Sequence, residues 1–451
     1  MAKNGTKDLT CGKPFGLIVS FTIPIFMGIL FQQFYNLMDT MIVGQILGKE
    51  ALSAVGATGS VMFMILGFCN GTASGFAIPI AQRFGAKDEK GVQKCTINSI
   101  WLSGIVSVVM TLIVSFLCRD ILELMNTPEN IINRSYAYLI VIFLGIPITF
   151  FYNLFSGIIR SLGDSKTPVV FLVLASVINI VLDVVLIKYV GMGVEGAAYA
   201  TIISQFIAML GCGIYMIKKF PILHMEKEER KPDSHCMKQL IYMGMPMGLQ
   251  YSITAIGSVI LQTAVNGLGS DAVAALTAGS KLGMFICALY EALGSTMATF
   301  GGQNVGAKKM DRVTKGLNYG IIIGAVYSVL ACVFLNIFGD KLVLLFINAK
   351  ETQIIHDAAR FLKIESIFYI GLTLVNTIRF MIQGMGFSSF AVIAGIMEMV
   401  ARALAGFILV PYFGFTAVCL ASPLAWIFAD AFLIPAFFHV RKKLMFRFAI
   451  E

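Results

Sequence analysis

An aspartate lies inside the first long apolar stretch of the chain. Asp39 belongs to the segment Phe31–Gly44, and the apolar run that begins at Phe15 carries no other charged side chain. A helix needs only ~20 such residues to cross a bilayer core. Burying an ionised Asp at the centre of that helix costs on the order of 2.5–3.5 kcal/mol, and protonating it at pH 7 costs about 4 kcal/mol. Because these costs are comparable, Asp39 is suited to exchange a proton or a metal cation. The alternative is a satisfied polar residue at a helix–helix contact.

A second acid lies in a later apolar stretch. Asn179 and Asp183 are four residues apart and therefore share one side of a helix. If Asp39 and Asp183 face one pocket, their repulsion favours a shared proton or a bound cation. Oxygen atoms of Asn179 and Thr201 would complete a site of the kind that small hard cations prefer. The alternative for Asp183 is a solvated position near the end of its span, close to Lys188.

Further polar residues predict a substrate cavity. In the first span a polar face follows helical spacing and must point away from lipid; it holds Gln32, Tyr35, Asn36, Asp39 and Thr40. Gln262 continues such a face in the seventh span, and Glu291 in the eighth span either binds a cationic substrate or bonds a neighbouring backbone group. We therefore assign Gln32, Tyr35, Asn36, Gln262 and Glu291 to the cavity.

Pro24 is predicted to be a hinge in the first span. A proline inside a transmembrane helix can kink the helix and free a carbonyl group. The alternative is a static kink.

The composition is that of a polytopic membrane protein. Of the 451 residues, 57% are hydrophobic and 13% are charged, where soluble domains carry about 25% charged residues. The net charge of +9 comes from basic residues in short loops between apolar runs, so we expect no nucleic-acid binding. The nine cysteines form no CxxC pair, which argues against a disulfide framework or a zinc site.

About twelve apolar spans separate into six and six around a charged linker. Alternate loops carry about 23 basic residues against about six, which predicts that both termini are cytoplasmic. We predict an all-α protein with an amino-terminal six-helix bundle at 1–217, a cytoplasmic basic linker at 218–238 and a carboxy-terminal six-helix bundle at 239–451. We expect a monomer in the cell membrane, without an organic cofactor.

The two halves are related by an internal repeat. Gln82–Lys94 reads QRFGAKDEKGVQK and Gln303–Lys315 reads QNVGAKKMDRVTK, and further matches are Pro24 with Pro246, Gly48 with Gly269 and Gly163 with Gly386. Because both halves have six spans in the same orientation, the repeat is parallel, and the halves should be related by an axis near the membrane normal.

The halves differ in their membrane acids. The repeat aligns Asp39 with Leu261, Asn179 with Arg402 and Asp183 with Gly406. In the second half, Glu398 and Arg402 are four apart and are predicted to neutralise each other. Arg379 is predicted to extend its side chain to the cytoplasmic interface.

Taken together, these motifs resemble the multidrug and toxic compound extrusion (MATE) transporters. The resemblance rests on YNLMDTMIVGQILG in the first span, the QRFGAK and QNVGAK loops, GIIRSLGDSKTP at Gly157–Pro168 and NIVLDVVLI in the fifth span. It implies two six-helix bundles and the export of cationic or amphipathic drugs in exchange for sodium or protons. Prokaryotic members with an amino-terminal cation site use residues that map onto Asp39, Asn179, Asp183 and Thr201. The branch that relies on acids in the carboxy-terminal bundle is matched less well.

Two other classes of protein remain as alternatives. A lipid-linked saccharide flippase would share the two-lobed plan, but it should have a basic cavity for phosphates. An intramembrane aspartyl protease would use Asp39 and Asp183, but Asp183 follows Val-Leu rather than a Gly-rich turn, and a protease has no need of a two-half repeat.

Overall fold

The computed structural model describes residues 7–125, 127–224, 231–347 and 349–450, and the regular elements in these ranges are all helical. Part of the predicted linker 218–238, residues 225–230, lies outside the described residues.

The helices of the first half follow the predicted apolar runs, with more breaks than expected. They are α1 Pro14–Leu47, α2 Lys49–Ala57, α3 Gly59–Gly85, α4 Glu89–Phe116, α5 Cys118–Leu124, α6 Glu129–Leu144, α7 Ile146–Ser161, α8 Thr167–Asp183 and α9 Val194–Lys219. A π-helical segment, Val184–Tyr189, continues α8. Asp164 stabilises the start of α8, because its Oδ1 accepts hydrogen bonds from the backbone N–H groups of Lys166 and Thr167 at 3.0 and 3.1 Å.

The second half repeats this order with a longer helix in place of α2 and α3. Its helices are α10 Ser234–Asn266, α11 Ser270–Gly306, α12 Met310–Val343, α13 Thr352–Ile367, α14 Tyr369–Gly384, α15 Ser389–Leu404, α16 Val410–Phe413 and α17 Phe415–Ile450. A second π-helical segment, Ala405–Leu409, follows α15. A π-helical segment therefore follows the same helix of both halves, and such segments are frequent at functional sites.

Eleven spans can be recognised by length and apolar character among the described residues. Nine are single helices or helices with a π extension, and two are bent pairs: α6 with α7 at 46° and α13 with α14 at 55°. Helix α10 falls short in apolar character, but its 33 residues correspond to about 50 Å at 1.5 Å per residue, enough to cross a bilayer. With α10 the spans number twelve.

The chain forms two compact units, and each contains a segment from the other half of the sequence. Unit 1 consists of the described residues of Met1–Asp8 and Met27–Gly248, and unit 2 of Leu9–Phe26 and Leu249–Glu451. Both α1 and α10 therefore begin in one unit and end in the other, and the change lies just after Pro24 in α1 and just after Pro246 in α10. The predicted division at the linker assigned residues 9–26 to the first bundle and residues 239–248 to the second, whereas the compact units have them the other way round.

Each unit has its own buried core. In unit 1, α3 packs against α7, where the Phe76 and Phe150 rings lie 6.2 Å apart between centroids and are fully buried. In unit 2, buried hydroxyl groups link α11, α12 and α14: the Ser328 hydroxyl lies 2.9 Å from that of Tyr290 and 3.1 Å from that of Thr373.

The internal repeat is visible in the backbone. The matched pair Gly163 and Gly386 has φ angles of 93° and 97°, and the pair Gly48 and Gly269 has 85° and 100°. These values lie in a region that favours glycine, which explains why glycine recurs at these positions. At Gly163 the space is also limiting, because a Cβ would lie 2.2 Å from the carbonyl oxygen of Lys7.

Candidate functional site

Two carboxyl groups meet inside unit 1. Asp39 lies on α1 and Asp183 is the last residue of α8, and their side chains lie within hydrogen-bonding distance of each other. Asp183 is fully buried, so the alternative of a solvated position is wrong. Lys188 instead lies over the Tyr189 ring, 5.9 Å from its centroid.

Three of the four carboxyl oxygens of this pair are buried without a hydrogen-bond donor from the described residues. Among the described residues, no N–H or O–H group satisfies either oxygen of Asp183 or the buried Oδ1 of Asp39. Two ionised carboxylates offer each other no proton, and their repulsion in a buried position is large. A proton or a cation between them would remove both problems. The arrangement does not match the alternative of a satisfied polar contact for Asp39.

Asn179 and Thr201 extend the acid pair. The Asn179 side chain is buried, and its Nδ2 donates to the Thr201 Oγ1 on α9 at 3.4 Å. The Asn179 Oδ1 is buried without a donor among the described residues. This oxygen and the two carboxylates are of the hard type that small cations prefer, and their joint role in a sodium site stays a prediction. In the part of the chain that the structure describes, no group of three or more His, Cys, Asp or Glu side chains is arranged so that it could hold a metal ion.

Polar and aromatic side chains surround this site, and some were not expected from the sequence. Tyr35 lies one turn before Asp39 on α1, within reach of Gln32 and of Gln205 on α9. Gln205 accepts a hydrogen bond from the Thr149 hydroxyl at 2.5 Å. A signal for Gln205 was present, because it follows Thr201 by four residues on one helix face.

The buried Tyr138 of α6 also lies within electrostatic range of both acids. No local pattern in the sequence pointed to it.

The predicted cavity residues are divided between the two units. Gln32, Tyr35 and Asn36 belong to unit 1, and Gln32 and Asn36 are exposed. Gln262 and Glu291 belong to unit 2, where Gln262 donates to the Asn266 Oδ1 at 2.9 Å and Glu291 is exposed on α11. Their common role in substrate binding stays a prediction, as does the hinge at Pro24, which lies within a continuous α1.

The charge pairing predicted for the second half is wrong. Glu398 pairs with Arg379 of α14, and both side chains are buried. Arg379 therefore does not extend to an interface. Arg402 instead points its guanidinium towards the carbonyl oxygen of Thr254, 3.4 Å away. Sequence spacing favoured the pair within one helix, but packing of α14 against α15 supplied a nearer partner.

Unit 2 also buries two further acids. Glu365 contacts Ser422, and Asp430 lies near Arg379 and Glu398. Asp430 was missed, although it lies in the long apolar run of α17 as Asp39 does in that of α1.

A family model and two curated relatives match the chain. The MatE model matches residues 24–185 and 246–408, one stretch in each half, and the two stretches begin at the repeated prolines. The probable multidrug resistance protein YpnP of Bacillus subtilis is 35% identical over 376 residues, 82% of each chain. The probable multidrug resistance protein YoeA of the same organism is 30% identical over 339 residues, 74% of this chain and 73% of the relative.

A solved structure has the same fold. The structure described as the crystal structure of MATE in complex with MaL6 superimposes with a TM-score of 0.90 at 25% identity, covering 98% of this chain and 99% of that one. The predicted fold of twelve transmembrane helices in two six-helix bundles is confirmed. The chain belongs to the MatE family, the multidrug and toxic compound extrusion transporters, as the sequence motifs predicted.

Proposed function

We propose that this chain exports cationic or amphipathic small molecules across the cell membrane in exchange for sodium ions or protons, and that Asp39 and Asp183 carry the coupling ion. The observation that carries the proposal is the contact between these two carboxyl groups, of which Asp183 is buried and Asp39 is half-buried. The names of the relatives YpnP and YoeA support a role in drug resistance. Family members are transporters, so we propose no catalytic activity.

The mechanism we propose is alternating access. A bound monovalent cation compensates one of the two carboxylate charges, and release of the cation leaves two carboxylates that repel each other. The drug and the cation must favour different conformations, because a ligand with equal affinity for both shifts nothing. Pro24 lies just before α1 passes from unit 2 to unit 1, and we propose that α1 bends there when the pair changes its charge.

The proposal includes a monomer with both termini in the cytoplasm and no nucleic-acid partner. The flippase alternative is not favoured, because the matched family and the named relatives are multidrug transporters.

Reconstitution into proteoliposomes tests the proposal. We expect dye efflux driven by an imposed sodium or proton gradient, and each gradient should be imposed separately to identify the ion. Asp39→Asn should abolish ion-driven efflux, because the amide cannot carry the charge that the cation neutralises. Asp183→Asn should impair efflux. Asp120→Asn, on α5 outside the site, is the matched control and should transport normally.

Full ion-driven efflux by the Asp39→Asn protein would exclude the coupling role of the pair. Efflux that neither gradient drives would exclude both ions.

A further inference from the structure

Two cysteines touch at the beginning of α10. Cys95 lies in α4 and Cys236 in the first turn of α10, 141 residues later, and their Sγ atoms are 3.7 Å apart. Both belong to unit 1. Neither has a part in the proposed cation site.

The contact is held by groups other than the thiols. The backbone N–H of Asp233 donates to Asn98 Oδ1 at 2.7 Å, and the Lys94 ammonium lies 2.8 Å from Asp233 Oδ2. The same carboxylate accepts the backbone N–H of Cys236 at 3.1 Å. These bonds fix the start of α10 against α4 and thereby present Cys236 to Cys95.

The two sulfur atoms are close enough for a disulfide to form between them. A disulfide has an S–S length of about 2.05 Å, and two sulfur atoms already in contact need only a small side-chain rotation to reach it. Cys95 is 3% exposed and Cys236 is 4% exposed, so the oxidant must be small. Cysteine pairs in reducing compartments form disulfides mainly as transient redox sensors.

We propose that Cys95 and Cys236 are a redox-modifiable thiol pair that hydrogen peroxide converts into a disulfide. One thiol loses its proton and the thiolate attacks the peroxide; its sulfur gains an oxygen as a sulfenic acid, the O–O bond breaks, and the leaving hydroxide takes up the thiol proton and departs as water. The second thiol attacks the sulfenic sulfur, the S–S bond forms and a second water leaves. Two thiols are oxidised by two electrons and one peroxide is reduced to two waters.

The disulfide would fasten the start of α10 to α4. Helix α10 belongs to unit 1 up to Gly248 and to unit 2 from Leu249, so its first turns connect the two units along the chain. The hydrogen bonds to Asn98 and Lys94 can open and re-form, whereas a covalent bond cannot, so the disulfide removes the freedom that the start of α10 keeps when the thiols are reduced. On the proposed transport function, oxidation therefore slows export.

The test uses the full chain in proteoliposomes, treated with hydrogen peroxide and then alkylated and digested. Mass spectrometry should find a linked Cys95–Cys236 peptide, and dye efflux should fall and recover with dithiothreitol. Cys332→Ser is the matched control, since it removes one thiol of α12 outside the pair, and it should behave like the unmodified protein. Cys236→Ser should give no linked peptide and no loss of efflux.

A peroxide dose that oxidises the exposed Cys11 without linking Cys95 to Cys236 would overturn the proposal. An equal loss of efflux in the Cys236→Ser protein, or linkage without any change in efflux, would overturn the effect on export. If the reduced protein shows no efflux, the transport function fails, whereas the linked peptide still decides whether the thiol pair exists.

Discussion

The two halves of the molecule have different kinds of residue at two aligned positions of the repeat. Asp39 meets Asp183 in the first half. In the second half the aligned residues are Leu261 and Gly406, where a Cβ on Gly406 would lie 3.9 Å from the Cα of Leu261 and 3.1 Å from the Cβ of Ala264. One half has polar side chains at this contact, and the other has close apolar packing.

The halves also differ in how they neutralise buried charge. In unit 2, Glu398 has a protein cation, Arg379, as its partner. In unit 1, the acid pair has no donor to its buried oxygens among the described residues. An acid with a built-in counter-ion is suited to a structural role, whereas an acid without one must take a proton or a cation from solution. Asp430 of unit 2 also has a buried oxygen without a donor among the described residues, but it lies near Arg379, whereas the two acids of unit 1 lie against each other. The proposal of a coupling site in the first half rests on this difference.

The largest loss of stability is expected when an acid replaces Leu261, the residue of the second half that aligns with Asp39. Leu261→Asp loses the burial of an apolar side chain, about 2 kcal/mol, and must protonate its carboxyl at pH 7, about 4 kcal/mol. We expect a large drop in the melting temperature in detergent at pH 7.

Leu261→Asn is the control, because it loses the same packing without a charge. If the Asp and Asn variants melt at the same temperature at pH 7, the second half tolerates an acid as the first half does.

The ion pair of the second half can be tested by neutralising its acid. Glu398→Gln removes the carboxylate that contacts Arg379 directly and leaves the nearby Asp430 as the remaining acid, and we expect a loss of up to about 3–5 kcal/mol in the free energy of unfolding. Arg402→Gln should cost less, because Arg402 makes a long hydrogen bond, 3.4 Å, with the backbone carbonyl group of Thr254 and interacts with Glu365 from a distance. Chemical denaturation in detergent measures both losses. A greater loss of unfolding free energy for Arg402→Gln than for Glu398→Gln would favour the Glu398–Arg402 pair that sequence spacing predicted.

The contribution of Asn179 to ion binding can be separated from that of the two acids. Asn179→Ala removes one neutral oxygen but keeps both acids, so we expect efflux to persist with weaker ion affinity. The loss of one polar ligand, about 1.4 kcal/mol, corresponds to a tenfold higher ion concentration for half-maximal efflux. Ser176→Ala, one turn earlier on α8, is the control. An unchanged ion dependence would remove Asn179 from the site.

The smallest effect is expected where α10 begins. The hydrogen bond from Lys94 lowers the pKa of Asp233 below its usual value of 3.8. A lowered pKa stabilises the folded protein above pH 3.8, and this stabilisation is lost as the pH falls through the lowered pKa. Asp233→Asn should therefore melt slightly below the unmodified protein at pH 7 and no lower than it in strong acid. A difference that grows in acid would contradict the assigned partner.

Much of the architecture was predictable from local patterns. The apolar runs predicted the spans, and the QRFGAK and QNVGAK loops predicted the repeat that the backbone angles at Gly163 and Gly386 reproduce. Helical spacing placed Asn179 and Asp183 on one face. It could not predict the bends between α6 and α7 or between α13 and α14, because the apolar pattern continues through them.

The sequence by itself determined which residues carry charge inside the membrane and which of them share a helix face. Only the tertiary structure decided which faces meet: Asp39 with Asp183, Glu398 with Arg379, and Cys95 with Cys236. The physical reason is that spacing along one helix is fixed by its hydrogen bonds, whereas contacts between helices depend on how all side chains pack together.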